Sequence, residues 1–178
     1  MERSTYGTTA KLLHWLIAAI LLVQLALGWL MPEVRRGMSP GTAMNAHMSI
    51  GVIALALIVA RLAWRVTHPV EPDPALRGWQ RASSEAVHWL LYALVLVATI
   101  TGWFYASMRG WTVTVFSLFP LPALTPEGSQ LGRAIGRLHE SATAILAAAI
   151  GAHVAAALVH LFVYRDRVMQ RMLPSIRK

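Results

Sequence analysis

The chain has 178 residues, 56% of them hydrophobic and only 13% charged, with a mean hydropathy of +0.52. A soluble domain carries about 25% charged residues, so these values point to a membrane class, and the length suits a single domain over residues 1–178. The lack of cysteine excludes disulfides, iron–sulfur clusters, thiolate metal sites and covalent c-type haem attachment; the formal charge of +8 does not imply nucleic acid, because the basic residues flank apolar runs.

Four apolar runs are each long enough to cross a ~30 Å hydrocarbon layer as a helix of about 20 residues. They cover Leu12–Met31, Ala43–Trp64, Ala86–Ser107 and Leu138–Tyr164. The first has no small-x-small cleavage pattern after it and is read as a retained span. Between the runs lie the breakers: Pro32, Gly37, Pro40 and Gly41, then Pro69, Pro72, Pro74 and Gly78, then Pro120, Pro122, Pro126 and Gly128. The third interval, Met108 to Arg137, is long and partly apolar (WTVTVFSLFPLPAL), which suits either an interfacial loop or a cap over a site at that end. The expected fold is all-α, a transmembrane four-helix bundle.

Basic residues set the expected sidedness. Arg3, Lys11, Arg61, Arg65, Arg77, Arg81, Arg165, Arg167, Arg171, Arg177 and Lys178 fall on one side, and Arg35, Arg36, Arg109, Arg133 and Arg137 on the other. Eleven against five places both termini in the cytoplasm.

The histidines carry the chemistry. A polar ring at membrane depth needs a partner, so a buried membrane histidine is a functional hypothesis by default. His139 and His153 are 14 residues apart in the fourth run, which at about 100° and ~1.5 Å per residue puts them on one face at depths ~21 Å apart. His47 begins the second run on the outer side, level with His139; His14 and His88 begin the first and third runs on the inner side, where either could face His153. His68, beside Pro69, reads as solvated. Two imidazoles on facing helices are what a b-type haem needs, one on each side of the iron, and bundle cofactors are held this way. With both axial positions filled, the task is single-electron transfer. Two levels therefore predict two haem b groups. Zinc prefers clustered tetrahedral ligands with tight spacing such as H-x-x-x-H, absent among these histidines. For any one histidine, a hydrogen bond inside the bundle is the plain alternative. Arg61, 14 residues after His47, is a candidate partner for the inner cofactor or a side chain snorkelling to the interface. Gly51, Gly136 and the alanines around His153 leave room for a flat macrocycle, or serve helix packing.

The chain resembles the bacterial cytochrome b561 family of small di-haem membrane proteins. The resemblance rests on YGTTAKLLHWLIA, NAHMSIGVIALALIVARLAWR, EAVHWLLYALVLVATITGW and LHESAT followed by AHVAAALVHLFVYRD, and covers nearly the whole chain. It implies that His14 and His153 bind the inner haem, that His47 and His139 bind the outer haem, and that His160 is associated with the quinone end of electron transfer. It gives His88 no firm role. It further implies a bacterial cytoplasmic membrane location and, by one branch of the family, superoxide as the donor and ubiquinone as the acceptor. The outer arginines Arg35, Arg36, Arg109, Arg133 and Arg137 would then steer an anion to the outer haem. The alternative function is a cytochrome b subunit passing electrons between a partner dehydrogenase or hydrogenase and the quinone pool. A haem-free transporter is disfavoured, since no internal repeat is visible.

Overall fold

A computed structural model describes residues 6–32, 37–71 and 77–173. Arg3, Arg35, Arg36, Pro72, Pro74, Arg177 and Lys178 lie outside the described residues. Four long helices carry the chain: α1 (Thr8–Leu30), α2 (Thr42–Thr67), α3 (Gly78–Met108) and α4 (Gln130–Val159), the last continuing into a π-helical turn, His160–Tyr164. All four are long and apolar enough to cross a membrane. Their outward faces are apolar, as at Leu22, Val59, Ile145 and Phe162, which suits a lipid boundary. α1 packs on α2, α2 on α3, and α3 on α4. For clarity, the end holding the α3–α4 connection is called the cap end, and the other the terminal end.

Local chemistry fixes the helix boundaries. The Gln80 side-chain oxygen accepts from the Arg77 N–H at 2.9 Å, starting α3 eight residues before its apolar run. Ser129 Oγ accepts from Gly132 N–H at 3.3 Å and caps α4. α4 therefore begins at Gln130, two turns ahead of the predicted Leu138. Hydropathy marks the length of helix that faces lipid, and this first stretch is instead held by α3. Gly132 lies against Met108 and Gly136 against the Tyr105 ring, so closely that a Cβ at either would overlap them. Glycines four apart on one face give two membrane helices this approach. Gly136 thus serves helix packing, although it also borders the cavity described below.

The core is divided by depth. Ile17, Ile58, Tyr92, Leu94, Val95, Ala98 and Leu146 form the inner cluster, drawn from all four helices. Met48, Ala106, Trp111 and Val113 form a second, under the cap. The cap contains the only strands among the described residues, a short antiparallel hairpin of β1 (Thr114–Val115) with β2 (Phe119–Pro120). It is clipped to α2 by buried Ser49, whose Oγ lies 2.8 Å from the Thr114 carbonyl and accepts from Phe116 N–H at 3.0 Å. Trp111 Nε1 donates to the Met38 carbonyl (3.2 Å), Trp103 Nε1 to that of Pro122 (3.1 Å), and Leu124 N–H to Ser107 Oγ (3.1 Å). The stretch Gly110–Pro122 therefore folds as a fixed lid over the helix ends, not as a loop lying apart from them.

Candidate functional site

The bundle brings histidines together at two depths. Towards the cap end, the His47 ring on α2 and the His139 ring on α4 have centroids 6.4 Å apart at 90°. Towards the terminal end, the His14 ring on α1 and the His153 ring on α4 have centroids 6.3 Å apart at 78°. His88 on α3 is also there, 5.3 Å from His153. His14 sits two turns inside α1, because that helix begins at Thr8, and α4 projects at the cap end; together these offsets bring His14 level with His153.

Between His47 and His139 lies a cavity of about 430 Å³, within the roughly 300–1,000 Å³ range of ligand and cofactor sites. Its wall is mainly apolar, from Leu21, Leu25, Val52, Val95 and Leu146, with Trp111 and Val113 reaching in from the cap. Gly28 and Gly102 complete it. A Cβ on Gly28 would sit 3.6 Å from His47 Cε1, and one on Gly102 only 2.9 Å from His139 Cε1. His139 Nδ1 is 2.8 Å from the Ala98 carbonyl. A carbonyl only accepts, so this contact places the proton on Nδ1 and leaves Nε2 as the free lone pair. That is the tautomer a metal-binding imidazole adopts. His47 Nδ1 is buried and has no hydrogen-bond partner among the described residues. These donors suit an axially coordinated iron porphyrin: two nitrogen ligands on facing helices, an apolar wall, and small residues where the rings need space. Among the described residues, no three His, Asp or Glu side chains gather as a metal cluster, so tetrahedral zinc has no ligand set there.

At the terminal level, His88 Nδ1 is held by the Ser84 carbonyl at 2.6 Å, which again leaves Nε2 free. Arg61 is buried, and its Nε donates to Tyr92 Oη at 3.1 Å while Nη1 donates to the Ala10 carbonyl at 2.9 Å. Both Arg61 contacts are made within the bundle, one to α3 and one to the first turn of α1. Tyr92→Phe is isosteric and leaves the Arg61 Nε–H unpaired. A hydrogen bond to a charged group contributes about 1.5–3 kcal/mol, so the thermal midpoint of the purified protein should fall by roughly 3–12 °C. An unchanged midpoint in scanning fluorimetry would show that the bond adds no net stability.

His160 opens the π-helical turn, which ends at Arg165 in a left-handed conformation (φ 51°). That reversal returns Asp166 to His160 Nδ1, and the other carboxylate oxygen accepts from Val168 N–H at 3.0 Å. The following tail folds under the bundle: Arg171 Nη2 donates to the Glu71 carbonyl at 2.6 Å, and Trp15 Nε1 to that of Met172 at 2.9 Å. His68 is exposed and stacks on Trp64, with centroids 3.8 Å apart.

At the cap end the arginines differ from one another. Arg137 is exposed on α4. Arg109 is half-buried over the Trp111 ring, 4.4 Å from its centroid, with Nη1 3.3 Å from Tyr105 Oη. Arg133 Nη1 reaches the Gly128 carbonyl at 3.4 Å. Arg133 and Arg137 belong to α4 and not to the connecting loop, a consequence of its early start. Glu140 is exposed but borders the cavity.

Sequence reasoning missed Gln24, Gly28, Gly102, and the Ala98 and Ser84 carbonyls. Gln24, a polar side chain inside an apolar span, carried a signal of the kind that singled out the histidines. The glycines and carbonyls carried none, since their roles depend on which helix lies opposite.

An all-helical membrane bundle that pairs imidazoles across its interior at two depths is the framework of a membrane cytochrome. A family model described as prokaryotic cytochrome b561 matches residues 5–175, and the chain belongs to that family. It is similar to cytochrome b561 homolog 2 of Escherichia coli (strain K12), 29% identical over 170 residues covering 94% of this chain and 90% of that protein. The probable superoxide oxidase CybB of Yersinia pestis is 28% identical over 174 residues, 93% of each chain. Cytochrome b561 homolog 1 of Escherichia coli (strain K12) is 28% identical over 176 residues, 95% of this chain and 97% of that one. The protein is thus a multi-pass bacterial membrane protein of electron transfer, in a family that binds b-type haem.

Proposed function

We propose that the chain is a di-haem cytochrome of the bacterial inner membrane that takes single electrons from superoxide at the cap end and delivers them to ubiquinone at the terminal end. The observation that carries this reading is the repeated ring pair. His47 with His139 and His14 with His153 have nearly the same separation, 6.4 and 6.3 Å, and α4 supplies one ring to each pair at levels about 21 Å apart. A metal bound at about 2.0–2.1 Å from each of two nitrogens needs such matched spacing. His88, at 5.3 Å from His153, lies outside it, which favours His14 as the ligand. Bound between these pairs, haem supplies one-electron redox chemistry. His47 with His139 and His14 with His153 would hold the two groups, and with two imidazoles on each iron the chemistry supplied would be outer-sphere electron transfer.

Among the described residues the terminal end carries most of the basic side chains, Lys11, Arg61, Arg65, Arg77, Arg81, Arg165, Arg167 and Arg171 against Arg109, Arg133 and Arg137, and is assigned to the cytoplasm. Superoxide as donor is supported by the name of the Yersinia pestis relative, a probable superoxide oxidase, and by Arg137, Arg133 and Arg109 at the cap end, where positive charge concentrates an anion. Arg35 and Arg36, expected on that side from the sequence, lie outside the described residues. Two superoxide anions become two dioxygen molecules, and their two electrons with two protons convert ubiquinone to ubiquinol. His160 is the proposed quinone contact: Asp166 holds its ring through Nδ1 at the end to which the electrons are delivered.

Stopped-flow mixing of the purified holoprotein with superoxide tests the reading. Rapid appearance of a reduced b-type spectrum, followed by reoxidation when ubiquinone is present, is the expected result. No reduction by superoxide would remove the donor. If a dehydrogenase or hydrogenase then co-purified and reduced the chain instead, the protein would be a partner's cytochrome subunit.

A further inference from the structure

Gln24 lies on α1 beside the cap-end histidine of α2. Its Nε2 donates to the His47 backbone carbonyl at 2.9 Å. Gly51, one turn further along α2, makes space for it, since a Cβ there would stand 3.1 Å from Gln24 Nε2. Two buried polar atoms of this pair of residues have no partner among the described residues: Gln24 Oε1 and His47 Nδ1. A buried polar group without a partner is costly, and these two are complementary. An imidazole that commits Nε2 to a metal carries its proton on Nδ1 and requires an acceptor; an amide oxygen is one. The facing ring already has this arrangement, with His139 Nδ1 on the Ala98 carbonyl at 2.8 Å.

We propose that Gln24 is the positioning residue of the cap-end site: its Oε1 accepts the Nδ1–H of His47, fixing the tautomer and ring direction as the Ala98 carbonyl does for His139. The inference rests on the bis-histidine reading of that site. The asymmetry has a consequence. One axial ring is held by backbone, which no substitution of a side chain removes. With Oε1 of Gln24 as the acceptor for the other, the electron-donating strength of His47 is open to adjustment at position 24.

The test is a redox titration of the holoprotein with Gln24→Leu and Gln24→Glu, with haem stoichiometry measured alongside. An acceptor on Nδ1–H raises the basicity of the ligand and so favours ferric iron. Gln24→Leu should shift one haem towards the reduced form by up to about tenfold in its equilibrium, 59 mV for a one-electron couple, and leave the other unmoved. Gln24→Glu, a stronger acceptor, should shift the same haem the opposite way. The haem affected should be the one missing from His139→Ala. If Gln24→Leu fails to retain that haem, the direction of the Gln24→Glu shift decides. Two haems with unmoved potentials, or shifts of both variants in the same direction, would overturn the role of Gln24 and leave the ligand assignment standing. A wild-type protein with no haem at the His47–His139 level would overturn both, and stoichiometry tells these cases apart.

Discussion

His139→Ala is expected to lower the haem content of the purified protein from two per chain to one, and His153→Ala to do the same by losing the other haem. Each level draws one of its two rings from α4, and no third metal-ligating side chain joins the His47–His139 pair as a cluster among the described residues. The truncated site keeps one ligand in an apolar cavity with nothing to replace the second. The pyridine haemochrome assay counts the haems. Reduction by ubiquinol identifies the survivor: the haem left in His139→Ala should accept electrons from it, and the one left in His153→Ala should not. The terminal level needs a further comparison, because both His14 and His88 approach His153. His14→Ala should lose a haem and His88→Ala should keep both. Two intact haems in His139→Ala or in His153→Ala would mean that iron is not held where the ring pairs lie.

What could be read from the chain alone followed from periodicity and hydropathy. The 14-residue interval between His139 and His153 fixes a common helix face whatever the other helices do, and the four apolar runs fix the count of spans. The choice between His14 and His88 could not be made that way, because both begin an apolar run at the same end. The depth of His14 relative to His153 depends on how far α1 extends before its run and how far α4 projects at the cap end. The start of α4 was misplaced for a related reason. Gln130–Arg137 is polar enough to break an apolar run, yet it is helical because Ser129 caps it and Gly132 and Gly136 seat it against α3. The cap had no periodic signal. Its position over the cavity depends on Ser49, a serine within an apolar span whose partners are 65 and 67 residues away.

Gly102 is a position where an added side chain should cost a haem with every histidine left in place. It lies on α3, and a Cβ built there falls 2.9 Å from His139 Cε1 and 3.0 Å from Nδ1. The ring cannot simply yield, since its Nδ1–H is tied to the Ala98 carbonyl one turn earlier on the same helix. Gly102→Leu therefore displaces His139, breaks that hydrogen bond and fills part of the cavity with the new side chain. Haem content should fall towards one per chain, and the lost haem should be the one absent from His139→Ala. Helix melting is not an alternative cause, because leucine has the better helix propensity by nearly 1 kcal/mol; circular dichroism should show α3 intact. Gly28→Ala is the matched control. Its Cβ would meet His47 Cε1 at 3.6 Å, ordinary van der Waals contact, so that variant should retain both haems. Equal haem loss in the two variants would show that the cavity fails through general crowding, and retention of both haems in Gly102→Leu would show that His139 is not pinned between α3 and the cofactor.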